Sequence, residues 1–481
     1  MHINDLPTEL LDDILLKATA LNEQNGERYT YGLSQALLPL EQTRISKYVR
    51  GPLSFESLRW DSTSSIRQVC SKWHEWAVAF NIEQVFERRW RGSERWADLT
   101  LRRPSYKLYE MIENPRGLAV YRDPYSNLKQ TCSLLKALPE TACHVRRLWF
   151  NGFYVAQTDR LILDIIAQCP QLELLSVPWT VLRRSTAEDW ASLLKNGIDG
   201  AKPLYSLEIQ SICLPKDQAA ALQNETTTSP LLDSRVDFSA LKRLKFFGNT
   251  IHKPVVDRDL LEIARTATGL TCLDFTNIST VSVAGMLAIV KASRSTLEVL
   301  EHSPRSSDGF YHPFPGTLDS GEHICELLTS LPKMRDLSIS IPYMCAKLFS
   351  NHALNWEGEL QVRATDICGC NATSTATTRG EKLEKVLVEA RELIAARKRL
   401  GHQLSIELFF AGCIFEPDKK FVHGDFSLPT ISSGGIWPSY SHNSTKGPYG
   451  SSGTYGKGDL SWDAVLEQDF LHGASAGHVS L

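Results

Sequence analysis

The chain has 481 residues, of which 42% are hydrophobic and 22% charged, and its formal net charge at pH 7 is −3. That length allows about three ordinary domains, or fewer if a repeat array absorbs most of it. The near-balanced charge argues against bulk binding to nucleic acid or to a membrane surface. The longest apolar run, residues 281–290, is far short of a bilayer span. The start "MHINDLP" has neither the basic end nor the apolar core of a secretory leader. Eleven cysteines, an odd number set mostly at apolar positions, fit buried thiols in a reducing compartment. The expected location is cytoplasmic and/or nuclear, so the sequons at Asn224, Asn371 and Asn443 carry no weight.

The first predicted helix follows Asp5, a capping residue, with Pro7 in its first turn, where a missing N–H costs nothing. Leu6, Leu10 and Ile14 recur every four residues with Leu11 and Leu15 alongside, which makes a wide apolar face. A second helix is predicted after Asp61-Ser62-Thr63. Its stripe is Ile66, Val69, Cys70, Trp73, Ala77 and Phe80. Residues 18–62 lie between the two as an insertion, and residues 91–142 read as a helical linker. The stretch "ERRWRGSERW" (87–96) mixes arginine with tryptophan, as nucleic-acid surfaces do. Its glutamates favour a helix end that packs its tryptophans, so no nucleic-acid partner is expected.

From residue 143 to 415 a different pattern takes over. An apolar residue is followed by Leu three later and another apolar residue two after that, as in "VRRLWF", "LELLSV" and "LTCLDF". The central leucines are Leu148, Leu175, Leu207, Leu244, Leu273, Leu300 and Leu337, spaced by 27, 32, 37, 29, 27 and 37 residues. Amphipathic helices precede most of these strands. Their stripes are Ile162, Ile165, Ile166 and Cys169; Trp190, Leu193 and Leu194; Leu260, Leu261 and Ala264; Met286, Leu287 and Val290; and Ile324, Leu327, Leu328 and Leu331. Val362 and Ala364 suggest an eighth strand. A helix from Glu381 to about Lys398 then leads to a ninth in "LSIELFF" (404–410). A strand and a helix every thirty residues or so is the plan of a leucine-rich repeat solenoid, although the turn asparagine of the usual repeat is missing. Residues 416–481 are rich in glycine and serine and read as mostly disordered, with one apolar island, "SWDAVLEQDFLH" (461–472), that could dock back.

No catalytic constellation emerges. "GSSGTYGKG" (450–458) lacks the spacing, the Ser/Thr and the preceding strand of a phosphate loop. Cys368 and Cys370 have no second Cys/His pair at finger spacing, so neither a metal nor another cofactor is expected.

Taken together, Leu-Pro-x-Glu-Leu-Leu-x-x-Ile and Ile-x-x-Val-Cys-x-x-Trp resemble the F-box, the helical module that docks onto the Skp-type adaptor of cullin ubiquitin ligases. The insertion between the halves is longer than usual and is similar to the arrangement in fungal F-box proteins. "CPQLELLSV" and "LPKMRDLSI" resemble the irregular leucine-rich repeats that follow F-boxes. The resemblance implies an α/β chain with an F-box over residues 1–90 followed by the solenoid. It implies a non-catalytic substrate receptor of an SCF-type ligase, with a Skp-type adaptor, a cullin reached through it, and a target protein as partners. Adaptor contacts would fall on Leu6, Pro7, Leu10, Leu11, Ile14, Ile66, Val69, Cys70 and Trp73. On the strands, the residue after each central Leu should face outward, which offers Trp149, Glu208, Lys245, Asp274 and Glu301, with Phe247 beside them, for target binding. Two alternatives stay open at this point: a repeat interaction scaffold, and an adaptor-binding protein with a non-ligase role.

Overall fold

The computed structural model describes residues 3, 6–30, 63, 65–88, 109–114, 117–122, 125–194, 202–211, 229–248, 255–276, 278, 280–303, 323–367, 379–415, 422–428, 435–436, 465–466, 471–472, 475 and 479–480. The chain divides into two units, Met1–Ser176 with Ile198–Lys202 and Val177–Gly197 with Pro203–Leu481.

The first unit opens with helix α1 (Thr8–Thr30). It is followed by a 3-10 turn (Ile66–Gln68) and helix α2 (Ser71–Glu83). The helix α1 therefore runs through the first part of the expected insertion, and residues 31–62 lie outside the described ones. The stripe predicted from Ile66 to Phe80 is broken, because Cys70 is extended (φ −162°) where the turn hands over to α2. Strand β1 (Gln84–Arg88) follows α2 directly, so strand structure begins well before residue 143. The linker is not helical throughout. Strands β2 (Tyr109–Asn114) and β3 (Gly117–Arg122) form an antiparallel hairpin, and helices α3 (Ser126–Ala137) and α4 (Pro139–Ala142) come after it. Strand β4 (Arg147–Asn151), helix α5 (Ala156–Gln168) and the first three residues of strand β5 (Leu174–Pro178) follow in this unit, with β4 parallel to both β1 and β5. Of the Arg/Trp stretch, only Glu87 and Arg88 are described, both in β1. Glu87 is buried and accepts a 2.5 Å hydrogen bond from Thr131 Oγ1 on α3.

The second unit repeats one step. Helices α6 (Val181–Arg184) and α7 (Ala187–Leu194) lead to strand β6 (Ser206–Gln210), and strand β7 (Arg243–Phe247) follows. Helix α8 (Asp257–Ala264), strand β8 (Cys272–Thr276), helix α9 (Val283–Ala292), strand β9 (Val299–Ser303), helix α10 (Ile324–Thr329) and strand β10 (Asp336–Met344) continue it. Strand β11 (Gly358–Ile367), helix α11 (Arg379–Arg399) and strand β12 (Leu404–Phe415) complete the expected series. Neighbouring strands from β6 to β12 pair in parallel and in chain order. The arrangement is mixed α/β and compatible with a leucine-rich-repeat-like solenoid.

The register shows what holds it. Leu207, Leu244, Leu273, Leu300 and Leu337 are matched rung to rung, and all are buried. The next inward rung is Ile209, Phe246, Phe275 and His302. Phe246 stacks on Phe275 at 5.2 Å, and Phe275 meets the His302 ring edge-on at 5.8 Å. Aromatic neighbours in such geometry add about 1 kcal/mol each to the area they bury. The predicted helix stripes are likewise buried, except on α8: Leu261 is exposed, Ala264 is half-buried, and Ile263 turns inward with Leu260. Where the turn asparagine is missing, neighbouring repeats satisfy each other's backbone. Ser293 Oγ donates to Ala267 O at 2.5 Å and accepts from Leu270 N, while Thr296 Oγ1 donates to Leu270 O at 2.7 Å.

The segment read as mostly disordered contains strand β13 (Val422–Leu428), which pairs antiparallel with β12. Gly380, in the first turn of α11, has Ser475 and the carbonyl of Leu471 so close that a side chain there would strike them. The end of the apolar island therefore lies against α11.

Gly248 marks a point of close approach. It has φ +136°, and a Cβ would fall 1.9 Å from the Ser211 carbonyl oxygen, while Ser211 N donates to Phe247 O at 2.7 Å and Gly248 N to Thr276 O at 3.2 Å. Gly248→Ala is expected to lower stability by about 2 kcal/mol or more through strain and clash. Urea unfolding that matches the native midpoint would contradict this.

Candidate functional site

The N-terminal helices are organised as two adjoining stripes. Leu11 and Leu15 on α1, Ile66 in the turn and Ala77 on α2 form a closed cluster, with Ala18, Trp73 and Trp76 packed against it. Leu10 and Ile14 sit one position round the helix and are 54% and 39% exposed; Val69, the residue before the break at Cys70, is 56% exposed. Pro7 is exposed and heads α1, its carbonyl accepting from the amides of Leu10 and Leu11 at 3.1 Å each. Leu6 and Cys70 are half-buried. Polar contacts fix the arrangement: Asn22 Nδ2 donates to Ser65 Oγ at 3.1 Å and Asn81 Nδ2 to Thr63 Oγ1 at 2.6 Å. Of the nine residues that the sequence assigns to one contact face, Leu11, Ile66 and most of Trp73 are internal cement. Leu10, Ile14, Val69 and Pro7 are the ones presented. Leu16 and Leu21, also exposed on α1, fell outside the four-residue stripes and had no signal in the pattern.

On the strands the residues after the central leucines do share a row. Glu208, Lys245, Asp274, Glu301, Ser338, Gln361 and Glu407 are matched in register across β6 to β12. They are not the open surface expected of them. Glu208, Lys245 and Asp274 are buried, Glu301 and Phe247 are half-buried, and Trp149, on β4 between Phe86 and Ser176, is buried as well. The physical reason is that several of these polar groups find partners within the sheet. Arg243 Nη2 meets Asp274 Oδ2 at 3.0 Å, the Lys245 ammonium lies 5.6 Å from the centre of the Phe247 ring, and Arg363 Nη2 donates to Gln361 Oε1 at 2.7 Å. Burial, and the nearby Asp274 carboxylate, raise the Glu301 pKa above the ordinary carboxylate value, against the opposing pull of Lys245 and Arg363. Burial also pushes the Cys272 thiol up to about 12, with Asp274 adding to it, so this sulfur is no nucleophile at neutral pH. Acids and bases held this way can order a sheet; for direct capture of a target they leave Glu301 and Phe247 as the accessible members.

Residues 91–108, 368–378 and 450–458 lie outside the described residues, and with them Cys368, Cys370 and the phosphate-loop lookalike. Among the described residues no helix is long and apolar enough to cross a membrane.

The buried His302 generates a pH dependence. Burial lowers its pKa from 6.5 to about 4, partly offset by Nδ1 bonding to Ser340 O at 3.2 Å, while Arg363 adds to the lowering. The unfolded chain therefore takes up a proton between pH 6.5 and 4 that the folded chain refuses. Stability is thus full above pH 6.5 and falls as pH drops through that window, by about 3 kcal/mol in all. His302→Phe, which continues the aromatic rung, should remove this slope; equal slopes for native and variant in chemical denaturation from pH 6.5 to 4 would refute it.

No protein-family description matches the chain, and no curated protein matches it. Among solved structures, a chain in the crystal structure of a TLR13–ssRNA13 complex is similar, at 13% sequence identity and a TM-score of 0.24. The match covers 50% of this chain and 33% of that one, so it spans about a third of the solved chain's length.

Proposed function

We propose that the protein is a substrate-recognition subunit of an SCF-type ubiquitin ligase, in which the N-terminal helices are an F-box that docks onto a Skp-type adaptor and the leucine-rich repeats hold a target protein. The observation that carries this reading is the division of labour between the two apolar stripes. A helix pair that served only as a cap for the repeats would turn its large side chains inward. Here a closed core of Leu11, Leu15, Ile66 and Ala77 exists while Leu10, Ile14 and Val69 are left exposed. A few large apolar side chains presented from a rigid support are what an adaptor groove recognises. The chain would do no chemistry itself. It would bring target lysines into high effective concentration near a ubiquitin-conjugating enzyme carried by the cullin.

The exposed stripe allows function and folding to be separated. Leu10→Asp with Val69→Asp is expected to abolish capture of the Skp-type adaptor and the cullin in a pull-down with little change in unfolding midpoint. Leu11→Ala, inside the cluster, should instead cost about 2–4 kcal/mol of local stability. Failure of the native chain to capture the adaptor would end the proposal. Capture of the adaptor without the cullin would favour a non-ligase role.

A further inference from the structure

The sulfur-bearing side chains suggest a site that is independent of adaptor docking. Helix α10 opens with His323 at its N-terminal cap and Cys325 in its first turn, and Cys345 follows the last residue of β10. The two cysteines are buried and His323 is half-buried. His323 Nε2 is 3.5 Å from Cys345 Sγ, Nδ1 is 4.0 Å from it, and one ring nitrogen and the two sulfurs all lie within 4.8 Å of one another. Three soft donors from two segments of chain thus converge on one point.

Geometry and charge decide what that point suits. A tetrahedral zinc site with Zn–S near 2.3 Å and Zn–N near 2.05 Å has an N···S edge of about 3.6 Å and an S···S edge of about 3.8 Å. The His323–Cys345 edge already has the first length, and the remaining separations, at most 4.8 Å, need contract by no more than about 1.2 Å, within reach of side-chain rotation. Charge agrees as well. A divalent cation with two thiolates and a neutral imidazole is net neutral, which offsets the cost of placing an ion among buried side chains. Glu326, which follows Cys325 in the chain, is held by Lys347.

We propose that His323, Cys325 and Cys345 bind one soft divalent cation of the zinc class, with the fourth coordination position left to solvent. On binding, each thiol gives its proton to solvent and the sulfur forms a metal–sulfur bond, with no change of oxidation state. The ion would tie the start of α10 to the end of β10 and so close one helix–strand unit upon itself. A second grouping, His352 with Glu389 and Glu392 on α11, lies at 3.7 Å in each case and has only hard oxygen partners, which makes it the internal control.

The test is a cobalt(II) titration of the full chain, stripped of metal by chelator and kept reduced, followed by absorption. The native protein should develop a sulfur-to-cobalt charge-transfer band with tetrahedral visible bands, and zinc should displace both. Cys325→Ser with Cys345→Ser should lower the bound cobalt by one equivalent and remove the corresponding band. His323→Ala, at a half-buried position, gives the same readout if the double variant fails to fold. His352→Ala should leave the spectrum unchanged. A native protein without the charge-transfer band would overturn the proposal, as would a band that survives in folded His323→Ala or one lost in His352→Ala.

Discussion

The second unit depends on one constraint, the rung of leucines matched across its parallel strands. Leu207, Leu244, Leu273, Leu300 and Leu337 can stack only if every strand arrives in the same register, because a slip of one residue would turn each leucine to the opposite face. No single repeat can bury its own leucine. Each repeat does so against its neighbours, and stability is gained by accumulation. The spacing between leucines is free to vary from 27 to 37 residues, since the extra length passes into connections and leaves the rung intact. Loop length adds only slowly to the entropic cost of closure, so irregular repeats are tolerated.

That constraint explains which parts were legible in the sequence. Apolar positions at fixed offsets located the strands, and the helix stripes between them were equally readable, because both come from side-chain periodicity. Two features carried no such signature. Strand β1 follows α2 without a leucine of the repeat type, and β13 lies in a stretch whose glycine and serine content suggests no structure. Each is specified by the sheet edge that receives it, a tertiary property that composition does not record. Leu261 was assigned inward on periodicity alone; the two leucines at 260 and 261 cannot both face the strands, and Ile263 fills the inward place.

The other face of the strands shows the limit of residue-type reasoning. Alternation placed Glu208, Lys245, Asp274 and Glu301 in one row, but an outward position on the strand was read as an open surface. Charged side chains on adjacent strands lie close enough to pair, and once Arg243 engages Asp274 in a buried setting, removing either partner would strand the other. Pairing geometry between strands far apart in sequence cannot be read from a linear pattern, and so the difference between an interaction surface and an internal network was invisible until the register was known.

A related argument applies to the N-terminal helices, where the sequence pattern puts buried and exposed residues on one face without dividing them. Leu10 and Leu11 are both leucines in the same helix turn, separated by about 100° of rotation. Which of them is buried depends on where the turn at Ile66 and the helix bearing Ala77 approach, and that approach is set by the extended backbone at Cys70. The break costs the second helix its continuous stripe: Ile66 in the turn is buried, Val69 at the end of that turn is exposed, and Trp73 beyond the break packs against the core. Linear periodicity carries no record of such a break, so one stripe in the sequence holds both an exposed apolar side chain and those that make the support rigid.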